Sequence, residues 1–268
     1  MSSTYIHGTS PREQERLLRQ AATLEGIILD GFMADPGERV LEIGCGVGAV
    51  LERIATRFPR TRLTGIDISP EQVETARRHL AAQGVAAELV AGDGARLPFP
   101  DHSFDRVVMV WVIEHLPDPM AVLREARRVL RPGGMIHLTE TDYDTIRTSP
   151  PDPAIRRFLD AFVACFDSMG DAHAGPRLGG RLEAAGFAEV EVRMVGVHAW
   201  CPSRAPQIRG LVDYLLEFIR PELPRMLTGS PDADHPAIRD GLARFERLAE
   251  RPDGSISASI YKASASVP

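Results

Sequence analysis

The 268-residue chain predicts an α/β fold: a Rossmann-like, seven-stranded, mostly parallel sheet with its last strand antiparallel, plus a helical cap. Three observations predict it. Strand-like and helix-like patterns alternate at short spacing from residue 39 to residue 142, as parallel strands joined by helical crossovers require. The first of these strands runs directly into a glycine-rich turn, Gly44-Cys45-Gly46-Val47-Gly48, which lets a ligand approach the backbone at a helix N-terminus. The last third breaks the rhythm, because two alternating segments (189–200 and 255–263) are separated by about 55 residues of helical pattern, too long for a hairpin loop.

Each element has a local reason. A first helix is expected over 11–31, with Ser10 as N-cap, Pro11 at N1, Glu13 at N3 and an apolar face from Leu17 to Ile28. Asp35-Pro36-Gly37-Glu38 is a turn, and "RVLEIGCG" (39–46) is a buried strand entering the glycine-rich loop. A helix follows over 47–58, then a second strand over 62–69. Ser69, Pro70 and Gln72 open the next helix, and Gly84 closes it. Residues 86–93 and 104–112 read as strands three and four, 118–134 as a helix ended by Pro132-Gly133-Gly134, and 135–142 as strand five. Helical pattern then covers 150–186 and the long segment between the last two strands. These elements divide the chain into an N-terminal helical lid (1–34), a core (35–200 and 251–268) and a helical substrate cap (150–186 and 201–250).

Composition removes several classes. Hydrophobic residues make up 44% of the chain, enough for a sizeable core, and the net charge is −6. With a pI near 5.8, a broad basic surface for nucleic acid is not expected. Lys262 is the single lysine, and the arginines are scattered. Cys45, Cys165 and Cys201 are far apart, so neither a disulfide framework nor a zinc cluster is expected, and a reducing, cytoplasmic setting is. The opening "MSSTYIHGTSPREQERL" has no apolar core of a signal peptide, and no run approaches the length of a membrane span. The oligomeric state is open, a homo-oligomer included.

The glycine-rich turn alone suits either a dinucleotide or S-adenosylmethionine. Asp67, at the end of the second strand, can accept both ribose hydroxyls in either case. Three features tilt the choice toward the latter. Glu42 lies two residues before Gly44, where a carboxylate would repel phosphates but tolerate a sulfonium and an ammonium. Asp93, at the end of strand three, can take an adenine amino group, with the Gly94 and Ala95 N–H groups facing the ring nitrogens. No Tyr-x-x-x-Lys or other hydride-transfer set is present.

The series "VLEIGCGVG", "LTGIDIS", "AGDGARLPFPDHSFD", "VVMVWVIEHLPDP" and "EARRVLRPGGMIHLTETD" resembles the class I S-adenosylmethionine-dependent methyltransferases in motif order over roughly 38–142. The flanking "YIHGTSPREQERL", "GPRLGGRLEAAGF" and "PDGSISASIYKA" are similar to a bacterial small-molecule branch related to quinone C-methyltransferases and containing natural-product enzymes. The resemblance implies S-adenosyl-L-methionine as cofactor and places Glu42 near the methionine amino group, with Gly44 and Gly46 under the methionine moiety. It implies Asp67 on the ribose, Ile68 against the adenine, Asp93 with Gly94 or Ala95 at the adenine edge, and the Val110 carbonyl facing the amino acid end. Cys45 is a small packing residue of the same loop. Tyr5, in the N-terminal segment, is expected to close over the sulfonium by a cation–π contact.

Methyl transfer from a sulfonium needs alignment of the acceptor and exclusion of water, plus a base when the acceptor is a hydroxyl or a carbon acid. His115, just beyond strand four, is the candidate catalytic base and a cofactor neighbour. Trp111, Glu140, Tyr143 and His173 are the candidate substrate contacts. Asp142-x-Asp144 lacks a third ligand, so no metal is expected. The expected acceptor is a small, lipophilic or aromatic molecule under the helical cap. The rivals are a non-methylating enzyme or binding protein on this fold, such as a cyclase that retains the cofactor, and an NAD(P)-dependent oxidoreductase.

Overall fold

The structure is a computed structural model, described here for residues 10–228 and 235–268. Seven strands form one sheet: β1 (Arg39–Ile43), β2 (Arg62–Asp67), β3 (Ala87–Ala91), β4 (Phe104–Val110), β5 (Leu130–Ser149), β6 (Ala188–Trp200) and β7 (Ser255–Ser266), in the order β3-β2-β1-β4-β5-β7-β6. β1 to β5 pair in parallel. β7 runs against β5. The Val267 N–H donates to Gly134 O (2.9 Å), and the Ser259 N–H donates to Thr145 Oγ1 (2.9 Å), so the partner's number falls as β5 advances.

The helices are α1 (Pro11–Ile28), α2 (Ala49–Arg57), α3 (Pro70–Ala82), α4 (Pro119–Val129), α5 (Pro153–Asp167), α6 (Ala174–Ala184), α7 (Ala205–Thr228) and α8 (His235–Glu246). Four begin as their sequences require. Ser10 Oγ accepts from Glu13 N–H (3.2 Å), Ser69 Oγ from Gln72 N–H (3.3 Å), Asp118 Oδ1 from Ala121 N–H (3.0 Å) and Asp152 Oδ1 from Ala154 N–H (2.9 Å), each followed by proline at N1.

Four boundaries differ from the sequence reading. α1 stops at Ile28, where the Lys262 ammonium donates to the terminal carbonyls of Ile27 and Ile28. β4 stops at Val110, because Trp111 turns left-handed (φ 52°). α4 ends at Val129, and Pro132-Gly133-Gly134 lies within β5, held there by β7. The 150–186 segment is two helices, α5 and α6.

The chain divides into two compact units. Among the described residues, the first holds 10–140, 175–193 and 261–268. Its core on one side of the sheet joins Ala21, Ile28 and Phe32 to Val40, Cys45, Leu51, Ile54 and Leu80, all buried. The second holds 141–174, 194–228 and 235–260. Its centre is aromatic: Tyr143 lies 5.4 Å from Phe162 and 4.9 Å from Phe166 between ring centroids, and Phe162 lies 5.6 Å from Phe218.

Candidate active site

In an open parallel sheet the loops at the carboxyl ends of the strands form the ligand crevice. Here those ends are Ile43, Asp67, Ala91 and Val110. After Ile43 the chain makes three left-handed glycines, Gly44 (φ 75°), Gly46 (φ 48°) and Gly48 (φ 78°), the last starting α2. Gly44 must be glycine on two grounds. Its φ disfavours any side chain, and a Cβ there would lie 2.5 Å from Val112 Cγ2.

Asp67 organises the loop. Its Oδ2 accepts from Gly46 N–H and its Oδ1 from Ser69 N–H, both at 2.9 Å. Burial raises its pKa against those two hydrogen bonds. Each oxygen retains lone-pair capacity for a further donor. Glu42 lies beneath, 3% exposed. Burial, then the charge of Asp67, pushes its carboxyl well above the usual range. Its Oε2 is buried with no hydrogen-bond partner. Two acids raised by burial, one with an orphaned oxygen, make a crevice that favours a cation.

The remaining crevice residues follow strand by strand. Ile68 is 52% exposed, an apolar side chain left facing outward. Asp93 Oδ1 accepts from Ala95 N–H (2.9 Å), so that donor is engaged by its own loop, contrary to the expectation that it meets a ring nitrogen; Gly94 lies packed near Ile43 and Val122. Cys45 is buried and burial raises its thiol, which fits packing and not nucleophilic chemistry. Val110 closes β4 opposite Thr139. Tyr5 lies outside the described residues.

Beyond β4 the structure departs most from expectation. Trp111 is left-handed although not glycine, a conformation costing of order 1–3 kcal/mol that its surroundings must impose. A 3-10 turn, Ile113–His115, follows. Burial and then the charge of Arg16 hold His115 to about 3. It is therefore a neutral imidazole, well below the value that suits a general base near pH 7. Arg16 itself is 5% exposed on α1 and grips Glu13 with two hydrogen bonds, 2.7 and 2.8 Å.

Three expected substrate contacts are engaged within the protein. Glu140 is fully buried, and its Oε1 accepts from Val112 N–H (2.9 Å) and Ile113 N–H (2.7 Å). That oxygen serves the turn, and no local pattern signals it because its partners lie 27 and 28 residues away. Tyr143 is 5% exposed inside the aromatic centre of the second unit, where its ring is packing. His173, also of the second unit, is half-buried and caught between two carboxylates, with Nδ1 3.0 Å from Asp142 Oδ1 and Nε2 3.5 Å from Asp167 Oδ2. Among the described residues there is no cluster that could hold a metal ion.

A β3-β2-β1-β4-β5-β7-β6 sheet with a glycine-rich loop after β1 and acids at the ends of β1 and β2 defines a class I, Rossmann-like methyltransferase fold. Residues 41–138 match the family described as "Methyltransferase domain". A 2-methyl-6-phytyl-1,4-hydroquinone methyltransferase of Synechocystis sp. is 36% identical over 164 residues, 59% of this chain and 48% of the relative. A 27-O-demethylrifamycin SV methyltransferase of Amycolatopsis mediterranei is 44% identical over 107 residues, 38% of each chain. The chain thus spans less than half the length of these two relatives. The structure of Haemonchus contortus phosphoethanolamine N-methyltransferase 2 with S-adenosyl-L-methionine shares the fold, with a TM-score of 0.57 and 18% identity over 93% of this chain and 52% of that one.

Proposed function

We propose that the chain is an S-adenosyl-L-methionine-dependent methyltransferase acting on a small, lipophilic or aromatic acceptor. The observation that carries this is the buried, unpartnered Oε2 of Glu42 below the left-handed glycine loop. A donor of positive charge would restore the ionised form of that carboxyl, whereas a pyrophosphate would meet two buried acids. The residues present therefore fit a cationic sulfur nucleoside and do not fit a dinucleotide.

When bound, the cofactor supplies an activated methyl group. The chain's own residues do the rest. Glu42 faces the amino group, directly or through water. Asp67, oriented by Gly46 and Ser69, receives the ribose hydroxyls. Ile68 covers one face of the adenine, and Asp93 takes its amino edge. Val110 and His115 border the reacting end, His115 as an uncharged hydrogen-bond partner. The acceptor class is supported by the names of two relatives, a 2-methyl-6-phytyl-1,4-hydroquinone methyltransferase and a 27-O-demethylrifamycin SV methyltransferase. The described helices include none long and apolar enough to cross a membrane, and the three cysteines are free, which suits a reducing compartment.

The test is transfer of an isotopically labelled methyl group from the cofactor to hydroquinone and polyketide acceptors, followed by mass spectrometry. Labelled product supports the reading. Cofactor binding without methyl gain in any acceptor favours a non-methylating enzyme on this fold.

A further inference from the structure

We propose that Glu140 is a positioning residue: its carboxylate imposes the left-handed turn at Trp111 and so holds Val112 against Gly44 and His115 at the edge of the crevice. The inference rests on the reading of that crevice as the cofactor site.

The sequence alone has no reason to turn at Trp111. Tryptophan disfavours φ 52°, and the β-rich run "VVMVWV" would extend β4 further. Just past the last ladder bond, two hydrogen bonds to the side chain of Glu140, in the middle of β5, oppose that extension. The Trp111 N–H donates to Thr139 O (2.8 Å), and the next two N–H groups, of Val112 and Ile113, converge on the single oxygen Glu140 Oε1. A left-handed residue followed by a right-handed one points successive N–H groups into one concavity suited to an anion. Val112 is right-handed (φ −117°, ψ −45°), which completes that pattern. The acceptor filling the concavity is the chain's own Glu140 carboxyl, which burial raises to about 7 against the hydrogen bonds from Ile113 and Val112.

The consequences run outward from Val112. Its Cγ2 lies 2.5 Å from the point where a Gly44 Cβ would stand, so its methyl groups press on the glycine loop. Its carbonyl accepts from the His115 N–H (3.0 Å), which fixes the 3-10 turn. Glu114, 2% exposed, lies in the same turn with its carboxylate 3.5 Å from His115 Nε2. One buried side chain on β5 therefore sets both the loop under the methionine end and the histidine beside it.

The test uses Trp111 as its own reporter. The chain has two tryptophans, so Trp200→Phe serves as the parent. Glu140→Gln keeps an acceptor oxygen in place, and it should preserve Trp111 emission and hold S-adenosylhomocysteine affinity within about threefold. Glu140→Leu leaves two buried N–H groups unpaired. It should shift the Trp111 emission and weaken S-adenosylhomocysteine binding by about tenfold or more. Glu140→Asp, too short to meet both N–H groups, should fall on the side of Leu. A folded Leu variant with parental emission and affinity would overturn the proposal. If Leu does not fold, parental behaviour of the Asp variant overturns it equally. A parent that binds no S-adenosylhomocysteine refutes the cofactor reading instead, and the emission contrast between Gln and the other two variants still decides the role of Glu140.

Discussion

The crevice edge of the first unit and the aromatic centre of the second are both buried, but they are satisfied in opposite ways. In the second unit Tyr143, Phe162, Phe166 and Phe218 satisfy one another, ring against ring. At the crevice Glu42 is buried with an oxygen unpartnered, Asp67 and Glu42 both titrate high, and Trp111 holds a disfavoured backbone. Rings that complete each other need no ligand. A buried acid short of a partner beside a glycine loop leaves a place for a donor.

The comparison predicts unequal effects of mutation. The largest falls on the aromatic centre. Phe162→Ala should lower the unfolding free energy by about 3–5 kcal/mol, with S-adenosylhomocysteine affinity of the folded variant nearly unchanged. Denaturant titration and calorimetry check the two halves. A collapse of affinity at full stability would mean that the rings belong to the ligand site.

Next comes Glu42→Gln, which should act in two directions. Ligand affinity should drop by about 1.5–3 kcal/mol, the range for a hydrogen bond to a charged group. The ligand-free protein should gain stability at pH 8. The carboxyl's folded pKa lies above its unfolded one, so its contribution is fully present below the unfolded pKa and lost as pH rises through the folded value. The gain in Tm should therefore vanish at low pH. A glutamine variant with the same affinity and the same Tm at every pH would place Glu42 outside the site.

His115 gives a smaller, acid-side effect. Its folded value of about 3 lies below that of a free histidine, so stability falls as pH drops below the unfolded value and continues to fall toward 3. His115→Gln should remove about 2 kcal/mol of the loss between pH 7 and 4.5. Urea midpoints across that range measure it. Equal acid lability in the variant would show that the imidazole is accessible and free to protonate.

The smallest effect belongs to His173→Ala. Its carboxylate partners leave the ring half-buried, and loss of a pair of that kind costs about 1 kcal/mol or less. A much larger loss in Tm would move it from the rim of the second unit to its supporting structure.

Legibility from sequence follows the same division. The helix starts at Ser10, Ser69 and Asp118 were readable because cap, proline and first turn lie within four residues of each other. The glycine loop and the placing of Glu42 and Asp67 beside it were readable because strand ends and turns are local signals, and the mostly parallel sheet followed from the alternation, but not its strand order. What could not be read depended on distant partners. Pro132-Gly133-Gly134 looks like a helix stop, yet Val267 pulls it into β5. Glu140 looks like an exposed strand end, yet two N–H groups from β4's turn enclose it. Trp111 looks like one more strand residue, and its left-handed turn depends on contacts that no local pattern encodes. The neutrality of His115 could not be read either, because it comes from burial and the Arg16 charge on α1.

The most direct measurement is calorimetric titration of the full chain with S-adenosylmethionine, S-adenosylhomocysteine and NADH, in parent and Glu42→Gln forms. Saturable binding of both sulfur nucleosides, weakened by Glu42→Gln, with no heat from NADH, is the result expected of a crevice lined by buried acids. Preference for NADH, or sulfur-nucleoside binding indifferent to Glu42, would contradict it.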